Sequence, residues 1–249
     1  MILVTVLKRI LPDSICQWLV QQQRRFRLQR VRMGTVDFGQ LRRTTPVSKV
    51  FGLDRGLPID RYYIENFMTS HSADIKGRVL ELGDSFYTDK FGQDKVTKKD
   101  VLHVVEGNQE ATIVADLTDA DHIPSGAFDC IIFTQSLQMI YDFRSALTTL
   151  HRILKPGGVL LCTTAGISKI ARRLGKDDWG EYWHFTSQSL EIIFKEAFPE
   201  SELEVQSKGN VLSATSFLHG LATEELTQEE LDFEDPDFEV IICIRAVKA

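Results

Sequence analysis

Cys130-Ile-Ile-Phe133 is followed by Phe143-Arg-Ser-Ala-Leu-Thr-Thr-Leu-His-Arg-Ile-Leu154 and, across Lys155-Pro-Gly-Gly158, by Val159-Leu-Leu-Cys162. The first and last runs are short and apolar without interruption, the pattern of strands covered on both faces. The middle run sets Ala146, Leu147, Leu150, Ile153 and Leu154 at helical spacing, and Lys155-Pro-Gly-Gly158 stops it. Strand, helix and strand in that order predict parallel neighbours joined by a right-handed crossover.

The same alternation extends in both directions. Upstream lie the apolar runs Val79–Leu82 and Thr112–Ala115, with a strand expected between them at about 95–99. Downstream, a helix is expected over 187–197, capped by Thr186, and two last strands near 203–206 and 239–246. The expected fold is therefore α/β, a doubly wound and mostly parallel sheet. A further helix near 60–70 leads into it, and Glu224–Asp237 reads as a solvated acidic face. The expected organisation is a basic helical arm and linker over 1–58, then the main domain over 59–249.

Composition narrows the options. The chain has 249 residues, 43% hydrophobic and 26% charged, enough for an ordinary core and unlike a disordered chain. No apolar run approaches the ~18 residues of a membrane span. The chain opens on a mostly apolar stretch, Met1–Leu7, but the charges Lys8 and Arg9 follow it instead of preceding it and no small-residue cleavage site appears, which argues against a signal peptide. Cys16, Cys130, Cys162 and Cys243 stand far apart without a C-x-x-C pair, which fits a reducing, cytoplasmic setting. No metal is expected, since there is no His-x-x-x-His and no glycine-centred acidic loop.

The net charge of −6 conceals an asymmetry. Residues 1–50 hold ten Lys/Arg against Asp13 and Asp37, a balance of +8, so residues 51–249 carry −14. A helix expected from Asp13 to about Arg32 would place Ile15, Trp18, Leu19 and Phe26 to one side. Such an arm can dock on an anionic membrane surface, on another protein or on its own body, whereas no nucleic-acid partner is expected.

Ligands of doubly wound sheets bind at the carboxyl ends of the strands. Those ends carry Glu81-Leu-Gly83-Asp84-Ser85, Asp100, Asp116-Leu117 and Thr134-Gln135-Ser136. Acidic residues around one tight glycine turn suit a nucleoside, because a carboxylate accepts ribose hydroxyls and a second receives an adenine amino group. Capping of turns is the competing role of each aspartate.

Gly77-Arg-Val-Leu-Glu-Leu-Gly83, Asp100, Ala115-Asp116-Leu117, Ile123-Pro124, Phe128-Asp129 and Arg152-Ile-Leu-Lys-Pro-Gly-Gly158 together resemble the Rossmann-like S-adenosylmethionine-dependent methyltransferases. The resemblance runs from about 77 to 161 and implies seven strands with an antiparallel last strand and methyl transfer from S-adenosylmethionine. It further implies that Gly83 lets the backbone approach the cofactor, that Asp100 holds the ribose and that Asp116-Leu117 frames the adenine. Asp84, Ser85 and Gln135 join them as cofactor-binding candidates. Arg55–Glu65 looks like the lead-in of methyltransferases of sugar or glycan pathways, so a small-molecule or glycan hydroxyl is the expected acceptor.

One departure stands out. The family usually has further glycines after the first strand, where this chain has Asp84, Ser85, Phe86 and Tyr87. Only sixteen residues separate Gly83 from Asp100, so the first helix is short or absent. Ser85 or Tyr87 could meet the carboxylate end of the cofactor, and a degenerate, non-catalytic scaffold is the alternative. The lack of G-x-G-x-x-G argues against a nicotinamide or flavin enzyme. His184, in the aromatic run Trp179-Gly-Glu-Tyr-Trp-His-Phe-Thr186, is the candidate general base, with packing as its competing role.

Overall fold

The computed structural model describes residues 15, 34–171, 180–199 and 201–249. It divides into two compact units, Met1–Thr44 and Thr45–Ala249. The helix expected over 13–32 lies outside the described residues except for Ile15. In the first unit, Asp37 Oδ1 accepts the Gly39 N–H at 2.8 Å, and a single 3-10 turn follows at Gly39–Leu41.

The second unit is built on a seven-stranded sheet in the order β3-β2-β1-β4-β5-β7-β6. The strands are β1 (Gly77–Leu82), β2 (Val96–His103), β3 (Ile113–Val114), β4 (Phe128–Thr134), β5 (Leu154–Ala165), β6 (Glu202–Lys208) and β7 (Ile241–Val247). β1, β2, β3, β4 and β5 pair in parallel, and β7 runs antiparallel between β5 and β6. The helices are α1 (Ile59–Ser70), α2 (Phe143–Ile153), α3 (Ser187–Ala197), α4 (Val211–His219) and α5 (Gln228–Asp232).

Side chains alternate across the sheet with the period of two that a strand imposes. Leu80, Ile131, Phe133, Leu160 and Ile244 join the core that α2 and α3 cover through Leu147, Leu150, Leu190 and Phe194. Val79, Cys130, Ile132, Leu161 and Cys243 join a second core with Ile64, Phe67 and Met68 of α1, Phe217 of α4 and Leu231 of α5. Helices on both faces of one mostly parallel sheet with an antiparallel last strand are the expected architecture. Thr186 caps α3 by accepting the Ser189 N–H at 3.2 Å.

Three features depart from the sequence reading. Residues 45–58 are not a linker but part of the second unit, since Val47 and Ser48 donate to the His219 carbonyl at 2.8 and 3.1 Å, and Thr223 donates to that of Leu57 at 2.8 Å. The acidic stretch 224–237 contains α5, whose Leu231 is buried. β2 continues past Lys99 to His103, which moves Asp100 into the strand. As the spacing implied, no full helix joins β1 to β2: the link is a π turn, Thr88–Gly92, and a 3-10 turn, Gln93–Lys95.

Candidate functional site

The strand order reverses between the parallel neighbours β1 and β4: β1 leads outward to β2 and β3, and β4 leads the other way to β5. The carboxyl ends of these strands part there and leave a crevice. A cleft of about 850 Å³ occupies it, bordered by Glu81, Gly83 and Asp84 after β1, His103 at the end of β2, Gln135 after β4 and Ala165 at the end of β5. Its outer wall is the 45–58 segment together with Asp60, Arg61 and Glu65 of α1.

Gly83 forms the floor. Its φ of +88° lies in the left-handed region that side chains rarely adopt, and no atom lies within 4 Å of where a Cβ would stand. That space therefore belongs to the cleft. Asn108 Nδ2 fixes the turn from above by donating to the Gly83 carbonyl at 2.6 Å. Glu81 lies beneath, 2% exposed, and accepts the N–H groups of Tyr87 at 3.0 Å and Thr88 at 2.7 Å. These are the open donors at the start of the shortened helical link, and a carboxylate satisfies them. Burial nevertheless pushes the Glu81 carboxyl up to about 7, against the opposing pull of those hydrogen bonds.

The candidate residues separate into two groups. Gly83, Asp84 and Gln135 border the cleft. Gln135 does so with a φ of +50°, a strained conformation for a side-chain-bearing residue. Its amide donates to Thr163 Oγ1 at 3.3 Å and accepts from Gln138 Nε2 at 3.1 Å. Ser85, Asp100, Asp116, Leu117 and His184 are not among the bordering residues. Ser85 turns to Asp89 Oδ2 at 3.0 Å, and Asp116 caps its own turn by accepting from Thr118 N at 2.9 Å, while Leu117 is buried in the core.

Asp100 requires a correction. Its carboxylate lies within β2, 4% exposed, and accepts from Arg78 Nε at 2.6 Å and Thr112 Oγ1 at 3.0 Å. Burial works against its charge, yet Arg78, Thr112 and Lys98 outweigh it and hold the carboxyl below its usual range. Asp100 is thus a strand-to-strand tie and not a strand-end ribose acceptor, and the β2 residue that reaches the cleft is His103.

His184 also requires one. Its Nδ1 is 3.1 Å from the Gly166 carbonyl and its Nε2 3.1 Å from Glu181 Oε1, so both ring nitrogens are engaged and the ring itself does not border the cleft. Glu181 is the residue of that loop that borders the cleft, its side chain only 2% exposed and its Oε2 accepting from Ala171 N. The aromatic residues beside it pack rather than border the cleft: Trp183 Nε1 donates to the Ile140 and Tyr141 carbonyls at 3.2 Å, and its ring meets Phe143 edge-on. Trp179 lies outside the described residues. Gln138 was absent from the sequence reading; it is 3% exposed, borders the cleft, and its Oε1 has no partner among the described residues. Among the described residues, no group of three His, Cys, Asp or Glu is arranged to hold a metal.

Comparison with known proteins fits this geometry. Residues 55–210 match a family described as "Methyltransferase domain". The demethylmenaquinone methyltransferase of Staphylococcus epidermidis is 27% identical over 143 residues, 57% of this chain and 54% of that protein. The chain therefore spans about half the length of the curated relatives it matches. Among solved structures, a putative S-adenosylmethionine-dependent methyltransferase from Listeria monocytogenes shares the fold with a TM-score of 0.51 and 12% identity, over 77% of this chain and 97% of that one. The [4+2]-cyclase SpnF does so with a TM-score of 0.51 and 18% identity, over 75% and 80%. With the strand order, the crevice and the family match in agreement, this chain belongs to the methyltransferase domain family.

Proposed function

We propose that the chain transfers a methyl group from S-adenosylmethionine to the hydroxyl of a small-molecule or glycan acceptor. The observation that carries this reading is the open, left-handed Gly83 turn at the strand-order reversal, with Glu81 and Asp84 beside it. S-adenosylmethionine bound there would supply an electrophilic methyl on a sulfonium. The residues present suit it: the unfilled space at Gly83 admits close approach, carboxylates face its cationic groups, and about 850 Å³ is ample for a nucleoside and an acceptor. Asp116 and Leu117, after β3, are the candidate neighbours of the adenine, and His103 and Asn108 take the β2 side in place of Asp100.

The half of the cleft toward β4 and β5 is left for the acceptor. Two hydrogen-bond acceptors border it there, the Glu181 carboxylate and Gln138 Oε1, which has no partner among the described residues, and this favours a ligand that brings an O–H. Glu181 would receive the hydroxyl proton, with His184 holding the carboxylate in place. Holding both reactants in line is the larger contribution, since orientation can supply roughly 7–11 kcal/mol of a barrier.

Calorimetric titration with S-adenosylmethionine and S-adenosylhomocysteine tests the reading, and micromolar binding is the expected result. The glycine-poor turn at Asp84-Ser85-Phe86 favours a second reading, a non-catalytic scaffold, which absence of heat at millimolar ligand would establish.

We also assign the +8 arm over residues 1–50 to docking on an anionic membrane or protein surface, and the chain to the cytoplasm. The free thiols of buried Cys130, Cys162 and Cys243 are in keeping with a reducing compartment. Among the described residues no helix is long and apolar enough to cross a membrane. Salt-sensitive sedimentation with anionic vesicles, lost on deletion of residues 1–33, is the expected behaviour for membrane docking.

A further inference from the structure

Arg61 borders the cleft from the first turn of α1, where its N–H donates to the Pro58 carbonyl at 3.0 Å. Its Nη1–H donates to Tyr87 Oη at 2.9 Å. Tyr87 is itself fixed: its ring is 5% exposed and sits against Phe86 at 5.2 Å and Phe91 at 6.2 Å, and its N–H is held by Glu81. The guanidinium is thus aimed by a phenol that cannot easily move.

A guanidinium has five N–H donors. Among the described residues the Arg61 side chain makes only the bond to Tyr87, and no carboxylate lies within 4.0 Å of it. The acids of its own helix are otherwise engaged. Asp60 Oδ1 accepts the Arg61 main-chain N–H at 2.9 Å, and Glu65 pairs with Lys90 at 2.8 Å. Asp84, which also faces Arg61, accepts from Phe86 N at 2.9 Å. The second cation bordering the cleft, Lys169, sits 3.5 Å above the Phe51 ring. A half-buried, pre-aimed fork with spare donors is the arrangement that takes a carboxylate in bidentate fashion.

The cleft around Gly83 is therefore bordered by both signs of charge, Arg61 and the carboxyl groups of Glu81 and Asp84. That pairing matches a free amino acid, whose ammonium and carboxylate are two bonds apart. Resting on the donor reading given above, we propose that Arg61, positioned by Tyr87, binds the α-carboxylate of the methyl donor. The cleft accordingly selects for an intact methionine end and not merely for adenosine with a thioether. The same chemistry could serve a carboxylate on the acceptor, and binding measured without acceptor separates the two sources.

The experiment is calorimetry with S-adenosylhomocysteine and its decarboxylated analogue on the full chain. The wild-type protein should prefer S-adenosylhomocysteine by at least about tenfold, the weight of one charge-assisted contact. Arg61→Gln should reduce that preference to within about threefold, through weaker S-adenosylhomocysteine binding and little change for the analogue. Tyr87→Phe, which keeps the ring and loses the anchor, should remove part of it. Arg61→Lys, which keeps the charge and loses the fork, should do likewise and serves if Arg61→Gln does not fold. A preference that survives in folded Arg61→Gln overturns the proposal and moves the carboxylate role to the acceptor. Equal weakening of both ligands overturns it too, since Arg61 would then be shaping the cleft alone. If the wild-type protein binds neither ligand, the donor reading itself falls, a result distinct from the other two.

Discussion

Arg78 Nε donates to Asp100 Oδ2 at 2.6 Å, which joins β1 to β2 by their side chains as well as their backbones. The Arg78 guanidinium also lies 4.7 Å over the Phe128 ring, so one residue ties three adjacent strands. Removing the negative charge leaves the half-buried Arg78 guanidinium without its ion-pair partner. Asp100→Asn is expected to cost about 1–3 kcal/mol, or about 2–4 °C in Tm per kcal/mol, with S-adenosylhomocysteine affinity within a few-fold of wild type. Because the folded carboxyl is held below its usual range, this contribution is present above about pH 4 and lost as pH falls through the depressed value. Thermal melts from pH 2 to 7 with a parallel titration check both halves, and a large affinity loss in a stable variant would return Asp100 to the ribose.

Glu81 behaves oppositely. With the folded carboxyl raised to about 7, its protonated form stabilises the fold fully below the unfolded value near 4.5. That contribution declines as pH rises, at about 1.4 kcal/mol per unit at most, and is gone above about 7. The stability difference between wild type and Glu81→Gln should shift against wild type across this window and level off above it. A cationic ammonium entering the cleft would favour the ionised form, so binding near pH 6 should release a proton. Calorimetry in buffers of different ionisation enthalpy measures that release, and Glu81→Gln should abolish it.

Gly83→Ala puts a methyl into the space that the cleft opens and forces an alanine to a φ of +88°. The expected result is a stability loss of about 1–3 kcal/mol together with at least a tenfold loss in affinity. Gly126 has a φ of +62° and equally open surroundings but is not a cleft residue, so Gly126→Ala should show the strain without the affinity loss.

Glu181 and His184 should separate kinetically. Glu181→Gln is expected to lower kcat by about 10²–10⁴ with cofactor affinity unchanged. His184→Gln, which keeps a side-chain hydrogen bond to its neighbours, should cost less than tenfold. A larger loss in His184→Gln than in Glu181→Gln would reverse their roles.

Much of this architecture was legible in the chain. β4, α2 and β5 show as two unbroken apolar runs around one helical stripe, because burial on both faces admits few polar residues. The cap at Thr186 and the shortened link after Gly83 were readable from local chemistry and spacing. Asp100 was misplaced because Lys98-Lys99-Asp100 resembles a strand's solvated end. In the structure it is a polar stretch inside β2, tolerated because Arg78 and Thr112 neutralise and bond the aspartate. The 45–58 wall was illegible for a different reason: its Gly, Pro and Arg residues have no periodicity, and contacts with residues 219–225 some 170 positions away hold it. Arg61 and Gln138 sit on ordinary-looking stretches, and only the folded crevice brings them beside Gly83.

The two outermost strands differ in a way that bears on solubility. β3 has two residues, too few to template an added strand, while β6 runs the full length Glu202–Lys208. An exposed edge of that length invites another chain to pair with it. Here it is punctuated by Glu202, which pairs with Arg245 at 3.1 Å, by Glu204, and by Lys208, which pairs with Glu234 at 2.5 Å. Any added strand would have to lie along these charged side chains, and in parallel register it would set Glu202 and Glu204 against their own counterparts. The sheet thus guards one border by brevity and the other by charge, and edge-to-edge aggregation is disfavoured at both.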